Sequence, residues 1–139
     1  MKNAPNTERR IGRGIEMATL LLFNIHDAAK RTAIRLLSIR LGYTVRDVLP
    51  EQQNMTISEL LSGAKPLGQN LIPFTDEMMV MSGFSSQDMH ALLDGMRNNG
   101  CPVRLKCIVT ETNKSWTATR LHKELAAEDQ AMRKRTSKK

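Results

Sequence analysis

Thr19-Leu20-Leu21-Leu22-Phe23 and Met78-Met79-Val80-Met81 are the two stretches on which the fold turns. Apart from the leading threonine, neither contains a polar residue. A strand with one wet face alternates polar and apolar residues, because successive side chains point to opposite sides of the sheet. A strand covered on both faces reads as a continuous apolar run. The two stretches therefore predict two central strands between helical layers.

Working outward, Asp27 offers an N-cap, and Ala33, Ile34, Leu36, Leu37 and Leu41 recur at helical spacing until Gly42 stops the helix. Tyr43 to Leu49 reads as a second strand, and its Arg46 and Asp47 suggest a sheet edge. Thr56-Ile57-Ser58-Glu59 is a capping box that opens a short helix ending at Gly63. A loop over 64–75, with Pro66, Gly68 and Pro73, precedes the Met-rich strand. Ser85 or Ser86 caps a helix that turns Met89, Leu92, Leu93 and Met96 inward and stops at Asn98-Asn99-Gly100. Val103, Leu105, Cys107 and Val109 alternate with Arg104 and Lys106, which predicts a half-exposed fourth strand at the other edge. A last helix starts near 113–116 and carries Ala118, Leu121, Leu125 and Met132 on one side.

The order is β-α-β-α-β-α-β-α, and its halves echo each other. Leu20 to Ile25 leads through a helix to Gly42-x-x-Val45-Arg46; Met79 to Phe84 leads through a helix to Gly100-x-x-Val103-Arg104. Two architectures put the apolar strands in the middle. One is an α/β fold with a small four-stranded, mostly parallel sheet in order 2-1-3-4 and helices on both faces. The other is a ferredoxin-like α+β sandwich with helices on one face. Apolar residues at every position of the central strands, and a helix after every strand, favour the first. If all four strands run parallel, their carboxyl ends share one edge. A ligand would then bind where the order reverses, and Asn24, His26, Gly83, Ser85, Thr110, Thr112, Asn113 and Trp116 would gather there.

Charge divides the 139 residues into parts. The net charge is +7, yet residues 17–130 hold 12 basic and 12 acidic side chains. The excess sits at the ends, which predicts a flexible basic arm over 1–16, a single α/β domain over 17–130, and a disordered basic tail over 131–139. Within that tail Arg133, Lys134, Arg135, Lys138 and Lys139 are the candidates for nucleic-acid contact through phosphates, or form a solvated end. No aromatic residue interleaves with them as a base-stacking platform.

The apolar run Met17 to Ile25 is too short to span a bilayer and has no signal-peptide cleavage pattern. A cytoplasmic protein with no membrane association is expected. Cys101 and Cys107, six apart in the predicted fourth strand, are expected on one face as reduced thiols. The faces of the Met-rich third strand are a possible homodimer interface.

The motifs exclude more than they include. Gly83 belongs to neither a GxGxxG nor a Walker sequence. A receiver-type phosphorylation site needs acids where this chain has Asn24 and Ser82. His26, His90 and His122 have no ligand-spaced Cys or carboxylate in sequence, so no metal or cofactor is expected. His26-Asp27 has no nucleophile at a defined spacing, and no catalytic residue is assigned. Thr110-Glu111-Thr112-Asn113-Lys114-Ser115-Trp116 is the richest polar cluster. It reads either as an anion site at a helix start or as a cap with Trp116 packed on the sheet.

That cluster, with Met79-Val80-Met81-Ser82-Gly83-Phe84-Ser85 and Leu105-Lys106-Cys107-Ile108-Val109 before it, resembles a bacterial family known as domain of unknown function 3783. Thr-x-Thr-Asn-x-x-Trp is the most specific part, and Pro66-Leu67-Gly68 adds to it. The resemblance is good over 77–127, weaker over 18–76 and absent from both tails. Where the family commonly has Pro after the first Thr, this chain has Glu111. The family has no assigned activity, and the resemblance implies that Asn113 is its signature asparagine. The expectation is a non-catalytic binding or regulatory module whose partner is a protein or a small anionic ligand. The alternatives are a nucleic-acid-associated protein and an enzyme with an unrecognised site.

Overall fold

The structure, a computed structural model, describes residues 8–11, 14–64 and 72–137, with side chains for 18–64 and 72–135. Pro66-Leu67-Gly68, Lys138 and Lys139 lie outside the described residues. In chain order the elements are β1 (Glu8–Ile11), β2 (Gly14–Met17), β3 (Thr19–Phe23), α1 (Ala28–Arg40), β4 (Thr44–Val48), a 3₁₀ turn (Pro50–Gln52), α2 (Ile57–Ser62), β5 (Met78–Ser82), α3 (Ser86–Asn98), β6 (Leu105–Ile108), a second 3₁₀ turn (Asn113–Ser115) and α4 (Ala118–Ser137). β1 and β2 form an antiparallel hairpin in the stretch expected to be a flexible arm.

The main sheet has the order β4-β3-β5-β6, which is 2-1-3-4 when its own strands are counted. β3 and β5 are buried at every position. Leu20, Leu22, Met79 and Met81 face α1 and α3 with Ile34, Leu37, Leu92 and Met96. Leu21, Phe23, Met78 and Val80 face α2 and α4 with Ile57, Leu60, Ala118 and Leu121. Helices thus cover both faces, and the sandwich with helices on one face is set aside. The same packing buries the Met-rich strand within the chain.

β3–β4 and β5–β6 pair in parallel, but β3 and β5 are antiparallel, with Thr19 opposite Ser82 and Phe23 opposite Met78. The sheet is mixed and mostly parallel. Its strand ends do not share one edge: β3 and β4 finish where β5 and β6 begin. The link from Gly63 to Glu77 is longer than the roughly two to six residues usual in simply wound α/β units, and the chain enters β5 from the end where β3 stops.

The result is two β-α-β-α halves related by an approximate twofold. α1 and α3 have 13 residues each. Gly42 and Gly100 follow them with positive φ (90° and 70°), and Asn24 and Gly83, just after β3 and β5, have φ of 61° and 76°. Thr56 pairs with Thr117 in an isolated antiparallel bridge. Around it Ile57 N–H donates to the Trp116 carbonyl and Ala118 N–H to the Met55 carbonyl, both at 3.0 Å. Where the long helices cross, a Cβ on Gly95 would meet Leu37 Cδ2 at 2.8 Å, so the glycine sets the close approach of α1 and α3.

Four finer expectations change. The Gly-x-x-Val echo holds at the helix ends but not at the strands, because β6 begins only at Leu105, beyond Pro102. Cys101 consequently lies in the α1/α3 layer and Cys107 against the α2/α4 layer, on opposite sides rather than one face. Leu36 is 58% exposed on α1 instead of joining its buried side, and Met132 on α4 is 62% exposed. Finally, α4 continues to Ser137, so Arg133, Lys134 and Arg135 stand on a helix rather than in an irregular tail.

Candidate binding cleft at the strand ends

The eight candidate residues separate into two groups at opposite ends of the sheet. Asn24 and His26 follow β3; Gly83, Ser85, Thr110, Thr112, Asn113 and Trp116 cluster after β5 and β6. The expected single convergence does not form, because it required β3 and β5 to be parallel.

At the first end, Asn24 acts as a clamp. Its left-handed backbone turns the amide toward the segment before β5, where Nδ2 donates to the carbonyls of Phe74 and Asp76 at 2.9 Å each. Gln53, buried, donates from Nε2 to Asn24 Oδ1 and accepts the Phe74 N–H at Oε1. The Phe74 ring stacks on His122 at 4.2 Å and lies 5.8 Å from Phe23. His122 Nε2 meets Asp76 Oδ2 at 2.9 Å. The recess at the end of β3 is therefore filled by the chain's own residues. Asn24 holds that plug, and His26 lies exposed on the α1 side, along a shallow recess with Arg31 and Asp47.

At the second end, Asn113 is 8% exposed and its side-chain groups are engaged internally. Thr110 N–H donates to Asn113 Oδ1 at 2.8 Å, Asn113 N–H donates to Thr110 Oγ1 at 3.1 Å, and Asn113 Nδ2 donates to the Ile108 carbonyl at 3.2 Å. This reciprocal pair fixes the turn out of β6, much as a capping box fixes a helix start. Trp116 is half-buried against the α2/α4 layer with the Arg120 guanidinium 4.1 Å from its ring centre. Thr112 is exposed and precedes the 3₁₀ turn without a side-chain cap. Ser85 and Asp88 form a complete capping box at the start of α3.

These internal roles leave a space between the strand ends and α2. It is a cleft of about 670 Å³ lined by Gly83, Phe84, Ile108, Thr110 and Lys114 together with Ser58, Leu61 and Ser62. The volume lies within the roughly 300–1,000 Å³ typical of ligand sites. The α2 residues were missed in the sequence reading. No local signal marks them, because a short amphipathic helix looks the same whether its outer face lines a cleft or meets solvent. At the rim Lys114 Nζ pairs with Glu111 Oε1 at 2.9 Å, so the mouth holds no surplus of positive charge.

Both thiols are held toward the neutral form. Burial pushes Cys107 up to about 11, with the nearby Glu128 carboxylate adding to the rise. Burial also raises Cys101, against an opposing pull from Lys30. Nucleophilic chemistry needs thiolate, and neither environment favours it.

The fold and the cleft define a class: an α/β domain of two β-α-β-α halves, one with a filled recess and one with an open cleft. Residues 77–132 match the model of the family described as Domain of unknown function (DUF3783). The match spans β5, α3, β6 and most of α4, so it supports the resemblance carried by Thr110 to Trp116. Neither a curated protein nor a solved structure matches the chain. Among the described residues no helix is long and apolar enough to cross a membrane.

Proposed function

We propose that this chain is a non-catalytic binding or regulatory module of the cytoplasm, and that its site is the cleft at the carboxyl ends of β5 and β6. The observation carrying this reading is the division of labour after β6. Asn113 is consumed in holding the turn, while Thr110, Lys114 and Ser58 line a space walled by Leu61 and Ile108. A rigid turn beside an open, half-apolar cleft suits binding. The lining residues include hydroxyls but no histidine or cysteine, which favours binding over catalysis. The unpaired, poorly ionised Cys101 and Cys107 are consistent with a reducing compartment.

The test is amide chemical-shift mapping of the full chain against a diverse fragment set. Saturable shifts should concentrate at Gly83, Thr110 and Glu111 and vanish in Ser58→Trp, whose exposed position on α2 lets an indole fill the cleft without entering the core. Shifts scattered over the surface, or unchanged in that variant, contradict the reading.

A second reading has one observation in its favour. α4 carries Arg133, Lys134 and Arg135 on a helix, and Asp129 draws Arg104 (2.9 Å) and Arg133 (3.1 Å) to the same face. Basic groups on a rigid helix suit contact with nucleic-acid phosphates, and such binding weakens steeply with salt. The measurement is anisotropy of a labelled duplex at low and moderate salt. Binding unchanged by Arg133→Ala plus Arg135→Ala would dismiss this reading.

A further inference from the structure

We propose that the outer face of α1 binds a second copy of this chain, as an antiparallel pair of α1 helices about a twofold axis. The two halves of the molecule show what sets this face apart. α1 and α3 have equal lengths, each follows a side-chain cap, and their buried positions match, with Ile34 on α1 where α3 has Leu92. Along its solvent side α3 carries Gln87, His90, Asp94 and Arg97, and Asp94 pairs with Arg97 at 3.1 Å. The matching positions of α1 are Ala29, Thr32, Leu36 and Ile39. Leu36 is 58% exposed and Ile39 64% exposed, and a spacing of three sets them side by side. Single exposed apolar side chains are ordinary; here two adjoin on a face that is otherwise small and uncharged.

The basic residues of α1 that flank this stripe are engaged within the chain. Lys30 pairs with Glu77 at 2.6 Å, Arg31 Nη1 donates to the Ile25 carbonyl at 2.9 Å, and Arg35 pairs with Asp47. Arg40, in the last turn, has no ion pair among the described residues. At the other end Asp27 accepts the Ala29 and Lys30 N–H groups, both at Oδ1, and among the described residues its Oδ2 has no hydrogen bond.

Shape and charge together commit the occupant to a second copy. The face is small at its amino half and large at its carboxyl half, so antiparallel copies set Leu36 opposite Thr32 and Ile39 opposite Ala29 of the second copy. The same register brings the Arg40 guanidinium of each copy to the Asp27 carboxylate of the other. Each contact recurs across the axis, as an isologous interface requires. A helix of 13 residues is about 20 Å long, so the interface is small and the dimer weak, with a dissociation constant on the order of 10–100 µM.

The experiment is sedimentation velocity of the full chain from micromolar to millimolar concentration, with isotope-filtered nuclear Overhauser contacts between labelled and unlabelled wild-type copies at the upper end. The wild type should pass from monomer to dimer and show Ile39-to-Ala29 contacts between copies. Leu36→Glu, at an exposed position, should weaken association about tenfold or more, and Arg40→Glu about threefold. Arg97→Ala, at the matching place on α3, should leave it unchanged. A chain that stays monomeric throughout would overturn the proposal, as would a dimer that ignores Leu36→Glu or weakens equally with Arg97→Ala. Contacts between copies that pair Ile39 with Ile39, or that avoid α1, would also overturn it; this arm uses the wild type alone and decides the matter even where a variant fails to fold.

Discussion

The two halves of this molecule start from similar local chemistry and end differently. After β3 the left-handed position is Asn24, and its amide binds the next segment of chain into the recess. After β5 the equivalent position is Gly83, and the space beside it is a cleft. One half fills the recess at its strand end with Phe74; the other lines a cleft with Gly83, Thr110 and Ser58. Asn113 in the second half belongs to the scaffold of that cleft. Asn113 shapes the turn that forms one wall and does not reach into the space. Polar residues at strand ends therefore divide into those that hold the chain and those that face the void, and a sequence does not label which is which.

Mutations break this comparison most sharply at the plug. Phe74→Ala removes a ring packed between Phe23 and His122 and should lower unfolding stability by about 2–3 kcal/mol in urea denaturation, below the range for a fully buried Phe because the site is partly exposed. Leu61→Ala, at a half-buried position on the wall of the cleft, should cost about 1–2 kcal/mol. Asn24→Ala takes the donor from two carbonyls and puts alanine, which tolerates the left-handed region less well than asparagine, at a φ of 61°. A loss of about 2 kcal/mol is expected, and Asn24→Gly should recover the backbone part alone.

Asn113→Ala should cost about 1–2 kcal/mol by leaving the Ile108 carbonyl and the Thr110 N–H without their partners. Its wider consequence is a blurred cleft, visible as broadened amide signals at Thr110 and Glu111. The smallest effect concerns Cys107. Because folding raises its pKa from 9.0 to about 11, its contribution is intact below pH 9 and is lost as the pH climbs toward 11, where the unfolded chain ionises first. Thermal melts of wild type and Cys107→Ala should therefore converge over that window, and the wild-type thiol should resist alkylation at neutral pH. Rapid alkylation of the folded protein would place Cys107 in a wetter environment than its packing implies.

Much of the fold was legible because its signals are local or periodic. The runs Leu20–Phe23 and Met78–Met81 required cover on two faces and received it. Asp27, Thr56 and Ser85 cap the helices expected of them, and Gly42 and Gly100 take the positive φ that ends α1 and α3. The direction of β5 was not legible. A strand reads the same in either sense, and the deciding fact is where the 63–77 link delivers the chain, which Asn24 and Gln53 settle across long sequence separations. The strand start was misplaced at Val103 because Cys101-Pro102-Val103 is apolar enough to imitate a strand while packing as an irregular lead-in to β6. The cleft was half visible: Gly83 and Thr110 carried a signal, whereas Ser58, Leu61 and Ser62 join them only through the pairing of Thr56 with Thr117.

The central claim is that β3 and β5 run in opposite directions, which separates the Asn24 recess from the Gly83 cleft. Cross-strand nuclear Overhauser contacts test it most directly. The account predicts contacts pairing Phe23 with Met78 and Thr19 with Ser82. Contacts pairing Phe23 with Ser82 and Thr19 with Met78 would make the strands parallel, bring both groups of residues to one edge and contradict it.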